Sequence, residues 1–375
     1  MMFGMTLILY KGRILVKSDY LTLQGLIVLY FTFHTLFGLT SNRSLSYDYL
    51  ITMFVNLGAI VVILRILNTK HDVELAMKSI VITALFACLY IMIVDRSRLL
   101  SGEIGTYVSR PFNIGGGYSH NDIPWLAGLA TICLSYFDLI GKKKKLCKIL
   151  KFFFTIFIVL SGARKSLIFV LFSLILYPYV IMKKGNSGKR ALRIIIAAVS
   201  LSLIIFVLLN NGFLYSVIGY RFEGLFQGLQ TGNYVESSAR TRSIMIMTAL
   251  NAIRQKPLLG NGLNTFRSLS GSFGTWSHIN YLELWVSGGI IPVVLFYAYY
   301  IKSTVSLWKR RDDALCAAML SLILFMYVHD MVSVSYISRG AGLALCLIAA
   351  TMKIYGLNSG SKRATEKIGE YDADA

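Results

Sequence analysis

The feature that most constrains the fold is a series of long apolar runs along the chain of 375 residues. A run of about 20 apolar residues can cross a bilayer as a helix, which satisfies its own backbone polar groups there. With 55% hydrophobic residues and a mean hydropathy of +0.62, the sequence predicts an all-α polytopic membrane protein with about ten transmembrane helices. The runs begin near Leu21, Tyr49, Val73, Ile123, Ile149, Leu167, Ala191, Tyr281, Ala314 and Val334.

The polar segments between the runs predict four parts. Residues 1–211 hold the first seven transmembrane helices, and residues 212–279 form a large external loop with a short amphipathic helix. Residues 280–357 hold the last three helices, and residues 358–375 form a cytoplasmic tail. Residues 2–10 are apolar but too few to span, and no small-residue cleavage site follows them, so we expect an interfacial segment rather than a signal peptide.

The distribution of lysine between alternate loops predicts the orientation. If the N-terminus is inside, the lysine-rich segments 142–151, 183–193 and 302–311 are all cytoplasmic, as the positive-inside rule requires. The opposite face then holds two lysines, Lys165 and Lys256, and its remaining cations are arginines. Both termini are therefore predicted to lie in the cytoplasm.

The formal net charge of +20 follows mainly from these cytoplasmic loops, which contact anionic lipid headgroups and imply no nucleic-acid partner. The external arginines need a different explanation, because the positive-inside rule does not ask for them. Guanidinium groups bind phosphate in a bidentate way that ammonium groups do not. We therefore expect an anionic ligand at the outer face.

The external loop contains the longest cluster of polar and turn-forming residues. Ser237 and Ser238 suit a helix start, and the apolar run that follows them is too short to cross a bilayer. At 100° per residue, Arg240 and Arg254 share one polar stripe, so we expect a helix that lies at the interface or re-enters. Pro257 should end this helix, and a glycine-rich segment then leads to the mouth of the next membrane helix. That mouth carries His278, Asn280 and Glu283.

Polar pairs at other helix ends are weaker candidates. His120 and Asn121 lie at the outer mouth of the fourth helix, where capping is favoured over substrate contact. Arg164 and Lys165 occupy a tight outer turn, where they either snorkel to lipid phosphate or bind a substrate pyrophosphate. Asp330 and Arg339, at the connection of the last two helices, are a candidate ion pair.

Nothing in the sequence indicates a metal or a cofactor. The five cysteines fall within predicted helices or at their cytoplasmic ends, so neither a disulfide framework nor a thiolate metal site is indicated. No P-loop, dinucleotide fingerprint, HExxH or paired-carboxylate signature is present. We expect chemistry without a cofactor.

Several segments between about residues 110 and 300 together resemble one family. PLLGNGLNTF, followed by HINYLELWVSGGIIPVVLFY, resembles the signature of the O-antigen ligase and O-antigen polymerase superfamily. SSARTRSIMIMTAL and SGARKSLIFVL resemble its Ser-x-Arg segments, and RPFNIGGGYSHNDIPWLAG is similar to its earlier Gly-x-Asn segment. One departure is that Ile279 separates His278 from Asn280, where His-Asn is commonly adjacent in the family.

The resemblance implies a transferase that takes its glycan from a polyprenyl-pyrophosphate donor at the outer face of a bacterial inner membrane. His278 would be the general base, because a neutral histidine can take the proton of an attacking hydroxyl. Arg164 and Arg240 would hold the pyrophosphate without a metal. Further candidates for supporting roles are Lys165, Arg242, Arg254, His120, Asn121, Asn280, Tyr281 and Glu283.

Three functions fit this pattern. The first is a polymerase of O-antigen or capsular repeat units, which transfers the growing glycan to a sugar hydroxyl of an incoming lipid-linked unit. The second is a ligase that transfers finished glycan to a lipid A-core acceptor, and the third is a flippase or transporter. We favour the polymerase because the chain is short and its motifs are degenerate, as the resemblance implies for that branch. Its expected partners are the lipid-linked donor and acceptor, membrane lipids and a chain-length regulator.

The orientation can be tested with reporter fusions. Fusions after Lys145, Gly188 and Arg311 should report the cytoplasm, whereas fusions within residues 212–277 should report the external side. The measurement is the ratio of a cytoplasm-active to an export-active reporter at each site. A cytoplasmic signal from residues 212–277 would contradict an external loop.

Overall fold

The computed structural model describes residues 18–94, 122–161 and 237–357, with a few single positions between these ranges. The described residues form α-helices and one 3₁₀ turn, Thr265–Ser268, and contain no strand, so the all-α expectation is confirmed for them. The helices are α1 Asp19–Leu36, α2 Arg43–Ile66, α3 Lys70–Val94, α4 Asp122–Leu139, α5 Lys144–Leu160, α6 Ser237–Gln255, α7 Asn280–Gly288, α8 Ile290–Lys309, α9 Ala314–His329 and α10 Arg339–Ile354.

Three of the described helices, α2, α3 and α8, are long and apolar enough to cross a membrane. α9 is a shorter apolar helix. The predicted runs that begin near Leu167 and Ala191 lie almost entirely outside the described residues. The structure therefore supports a membrane protein, and the expected number of about ten spans stays a prediction.

The helix predicted to start near Tyr281 is divided into α7 and α8 at Gly289. Gly289 has φ of 69°, which disfavours residues with a side chain, and a Cβ there would overlap the carbonyl oxygen of Leu258. Pro292 lies in the first turn of α8, where a proline ring is tolerated. A proline inside the apolar run that begins near Tyr281 predicts a kink at Pro292, but the break falls at Gly289.

The last helix also begins later than predicted. The apolar run starts near Val334, but α10 begins at Arg339 and is capped by Ser338, whose Oγ accepts a hydrogen bond from the Ala341 amide at 3.4 Å. Residues 330–338 form the connection between α9 and α10. This connection contributes to the candidate site described below.

The chain divides into two compact units, of which one contains His278, the start of α7 and the residues that bond to them. That first unit comprises Met1–Glu74, Arg242–Lys309 and Met326–Ala375. Within it, α1 packs against α2 and α8, and α10 packs against α2 and α8. Lys302 pairs with Asp19 at 2.7 Å, and Lys353 Nζ donates to Asn68 Oδ1 at 2.6 Å. The second unit contains α4 and α5, which pack together with Lys151 on Asp138 at 2.7 Å.

Candidate active site

The amphipathic helix of the predicted loop is α6, which begins at Ser237 and ends at Gln255, just before Pro257. Part of its apolar surface is buried against the 3₁₀ turn and α7, whereas Ile244, Met247 and Leu250 are exposed. The shared core consists of Met245, Ala249, Ala252, Ile253, Phe266 and Val286, with Leu269, Leu282 and Trp285 packed against it. Burial of these side chains holds α6 against the loop that follows it in the chain.

The PLLGNG segment binds the end of α7 through its backbone. The amides of Asn261 and Gly262 donate to the carbonyls of Val286 and Ser287 at 2.7 and 2.9 Å. A Cβ on Gly260 would come within 2.5 Å of the Gly289 nitrogen, so the two backbones approach too closely for a side chain. This contact explains why glycines recur both in PLLGNG and in the SGG that ends α7.

Helix α1 also forms hydrogen bonds to the loop and to the end of α7. Tyr30 donates its hydroxyl to the Gly288 carbonyl at 2.7 Å, and His34 Nε2 lies 2.8 Å from the Leu259 carbonyl. The buried His34 is therefore part of the packing between α1 and the loop. These bonds anchor the loop and α7 as one support for the residues that follow.

His278 lies in a tight turn immediately before α7. Its φ of 60° lies in the left-handed region, which residues other than glycine rarely adopt, although histidine does so more often than most. Ser277 Oγ donates to the Ile279 carbonyl at 3.1 Å, which closes the turn around His278. The imidazole is half-buried. A constrained conformation of this kind is a common feature of functional sites, so the turn supports a role for His278.

The turn is held from α7 by Glu283. Glu283 Oε2 accepts a hydrogen bond from the Ser277 amide at 2.7 Å, and its side chain is only 1% exposed. Burial raises the pKa of Glu283 from 4.5 to about 7, although the Ser277 hydrogen bonds and the charge of Arg267 act in the opposite direction. α7 has nine residues and is not among the helices that could span a membrane. Glu283 is thus a support for the His278 turn, with an ionisation near neutral pH.

A cation lies beside this carboxyl group. Arg267 donates from Nε to the Gly274 carbonyl at 3.1 Å and from Nη1 to the Tyr49 hydroxyl at 3.4 Å. Its guanidinium lies 5.5 Å from the ring centre of Trp276. Nη2 makes no hydrogen bond within the described part of the chain. Arg267 is therefore fixed in place and keeps one terminal nitrogen available for an anion.

Asn280 ties the start of α7 to the connection between α9 and α10. Its Nδ2 donates to Tyr297 Oη at 2.9 Å and to Asp330 Oδ2 at 3.2 Å. Its Oδ1 accepts from the amides of Ser335 and Tyr336 at 2.9 and 3.0 Å. Asn280 is fully buried, and these four bonds use both donors and both acceptor positions of its amide.

Asp330 completes the same network. Its Oδ2 also accepts from Tyr297 Oη at 2.8 Å, and its carbonyl accepts from the Asn280 amide at 2.8 Å. Asp330 is fully buried whereas Arg339 is exposed, so the candidate ion pair between them is not formed. Tyr281, the neighbour of Asn280, donates to the Tyr327 carbonyl at 3.0 Å and stacks on Tyr297.

The structure brings together four of the predicted site residues, namely His278, Asn280, Tyr281 and Glu283, at the start of α7. Three predicted arginines lie on α6, where Arg240, Arg242 and Arg254 are exposed. The remaining four candidates, His120, Asn121, Arg164 and Lys165, lie outside the described residues. Among the described residues, no group of three or more histidine, cysteine and acidic side chains is placed to hold a metal.

Sequence reasoning did not assign several residues of this site. Arg267 was one of many outer arginines, and its position in the same loop as His278 was the available signal. Tyr49, Tyr297 and Asp330 come from distant parts of the chain, and no pattern in the sequence links them to His278.

The fold and the site define a helical membrane protein with a histidine turn and a guanidinium at the start of a short helix. Residues 149–297 match the model of the O-antigen ligase family, which confirms the resemblance to the O-antigen ligase and polymerase superfamily. The matched residues include α6, the loop and α7. This family comprises glycosyltransferase-like enzymes with lipid-linked oligosaccharide substrates. No curated protein matches the chain significantly.

The raised pKa of Glu283 predicts a pH-dependent stability. Below pH 4.5 the carboxyl is protonated in the folded and unfolded states, and its contribution to stability is fully present. That contribution is lost as pH rises from 4.5 to about 7, because the unfolded carboxyl ionises in this range while the folded one keeps its proton. The loss is on the order of 3 kcal/mol. The melting temperature of the purified protein should therefore fall between pH 4.5 and about 7 in wild type, and much less in Glu283→Gln. Equal pH dependence in the two proteins would contradict the burial of an ionisable Glu283.

Proposed function

We propose that this protein polymerises lipid-linked oligosaccharide repeat units of an O-antigen or capsular polysaccharide. The observation that carries the proposal is the constrained His278 turn at the start of α7, held by Glu283 and adjoined by Arg267. The match to the O-antigen ligase family over residues 149–297 supports the same type of chemistry. The reaction takes place at the outer face of the inner membrane.

In this mechanism a sugar hydroxyl of the acceptor attacks the anomeric carbon of the donor glycan. The neutral imidazole of His278 takes the hydroxyl proton, a new glycosidic C–O bond forms, and the bond from the anomeric carbon to the pyrophosphate oxygen breaks. The polyprenyl pyrophosphate leaves as an anion. Glu283 does not touch the reacting atoms, because it is buried behind Ser277, and its role is to hold the histidine turn.

Fixed guanidinium groups balance the charge of the leaving pyrophosphate. Arg164 and Arg240 hold the pyrophosphate, as the resemblance implies, and Arg267 adds a donor from the loop itself. Guanidinium groups that are already oriented stabilise developing charge without reorganisation, and they do so without a metal. Arg242, Arg254 and Lys165 contribute to the positive potential around the donor.

The polymerase is favoured over two other functions. A ligase uses the same chemistry with a lipid A-core acceptor in place of a second lipid-linked repeat unit. A flippase or transporter should show matched broken helices in two inverted repeats, and the sequence shows no such pairing. The break between α7 and α8 at Gly289 has a different role. The loop packs closely against Gly289, and this contact supports the histidine turn at the other end of α7.

The mechanism predicts that removal of the His278 imidazole greatly lowers the rate of transfer. His278→Ala should lower the transfer rate by about 10² to 10⁴, because a positioned general base contributes this much, while membrane insertion and donor binding survive. The measurement is polymer formed from purified lipid-linked repeat units by the reconstituted protein. His71→Ala is a matched control, because it removes an exposed histidine of α3 that lies outside the loop and α7.

Two additions to the same assay separate the alternatives. Excess EDTA should leave wild-type transfer unchanged, and loss of transfer on chelation would contradict a reaction without a metal. Core lipid added as a competing acceptor should leave repeat-unit polymerisation intact. Transfer to the core lipid alone would establish the ligase instead of the polymerase.

A further inference from the structure

A cavity of about 370 Å³ lies in the first unit, between α1, α2 and the start of α10. Its walls are mainly apolar and include Val28, Met53, Ile60 and Leu343. Its polar lining includes Gln24, Asn56 and Arg339. This combination of an apolar interior and one cation is suited to a molecule with a hydrocarbon part and an anionic group.

Two side chains indicate that the cavity is built for a ligand. Gln24 lines the cavity and is 7% exposed, and its amide makes no hydrogen bond to the described part of the chain. An amide that faces a cavity of this size can bond to a ligand or to solvent there. Arg339 has no acidic partner among the described residues and is exposed at the cavity wall.

Arg339 lies beside the middle of a helix with the length and hydropathy of a membrane span. α10 and α2 meet at one end, where Lys353 bonds to Asn68, and Asn56 of α2 donates to the Ile337 carbonyl at 2.9 Å. From Lys353 to Arg339 the helix rises roughly 20 Å, which is less than the thickness of a bilayer core. Arg339 is the first residue of α10, at the end opposite Lys353, and its side chain is exposed.

The cavity adjoins the candidate active site. Ser335 and Tyr336 line the cavity, and their amides are the ones that Asn280 holds. The connection between α9 and α10 therefore forms a wall shared by the two sites. A lipid in the cavity would lie next to the His278 site without occupying it.

We propose that this cavity binds the lipid acceptor: Arg339 holds a phosphate of a polyprenyl diphosphate, and the apolar walls hold its first isoprene units. The inference rests on the proposed function and adds a second lipid site to it. The donor phosphate must lie at the reacting anomeric carbon, but the acceptor phosphate lies a whole repeat unit away from its reacting hydroxyl. A phosphate site separated from His278 by the Ser335–Tyr336 wall fits the acceptor.

Two variants test the cavity by different means. A Cβ added at Gly342 meets no atom within 4 Å and Gly342 lines the cavity, so Gly342→Leu places a larger side chain in this space. Arg339→Gln removes the charge from an exposed position and leaves the core intact. Gly25→Leu is the matched control, since Gly25 also has open space around it but does not line the cavity.

The experiment measures transfer kinetics and lipid binding with the full chain in nanodiscs. Gly342→Leu and Arg339→Gln should each raise the KM for the lipid-linked acceptor by about tenfold, with the donor KM and kcat unchanged and Gly25→Leu equal to wild type. Binding of a long-chain polyprenyl diphosphate should weaken by the same factor and should resist competition by phosphatidylglycerol. Unchanged acceptor KM, or equal competition by phosphatidylglycerol, would overturn the proposal.

The results also separate this inference from the proposed function. If transfer requires His278 but is unchanged in both cavity variants, the polymerase function stands and the acceptor site is refuted. If the protein has no transfer activity but its binding of the polyprenyl diphosphate depends on Gly342 and Arg339, the lipid site stands and the polymerase function is refuted.

Discussion

The amide of Asn280 is the interaction on which the site depends. It lies in an apolar interior, where a polar group without partners costs free energy, and all of its hydrogen-bonding positions are used. Through these bonds it fixes three separate parts of the chain, namely the start of α7, α8 through Tyr297, and the connection after α9. The position of the His278 turn, which immediately precedes α7, follows from this network.

The same network holds the connection between α9 and α10, and the two sides of this connection have different environments. On one side, the buried Glu283 and the half-buried Arg267 support a polar turn at the start of α7. On the other side, Ser335 and Tyr336 line an apolar cavity that contains Arg339. One short connection thus separates a place suited to proton transfer from a place suited to a lipid phosphate. Two neighbouring sites of this kind are what a reaction between two lipid-linked glycans requires.

Local patterns predicted α6 and the residues at the start of α7 well. The start of α6, its end before Pro257 and the grouping of His278, Asn280 and Glu283 all follow from residues close together in sequence. The division of the next helix at Gly289 was missed, because its cause is the approach of Leu258 from the loop. A glycine in an apolar run shows that such an approach is allowed, but does not show that it occurs.

Long-range partners could not be predicted in this way. Asp330 was paired with Arg339 on the basis of sequence proximity, yet its partners are Asn280, fifty residues earlier, and Tyr297. The late start of α10 has the same origin, since Asn280 holds the amides of Ser335 and Tyr336 outside a helix. Single-sequence periodicity contains no information about such contacts, whereas it does describe the buried face of α6.

A double-mutant cycle between Asn280 and Asp330, followed by transfer kinetics as well as unfolding, tests the central claim most directly. If the network positions His278, each of Asn280→Ala and Asp330→Ala should lower kcat with little change in donor KM. The double variant should lose much less than the two single losses combined, with a coupling free energy of about 0.5–3 kcal/mol in unfolding. Additive losses, or a single variant that unfolds more easily while its kcat stays at the wild-type value, would contradict the account.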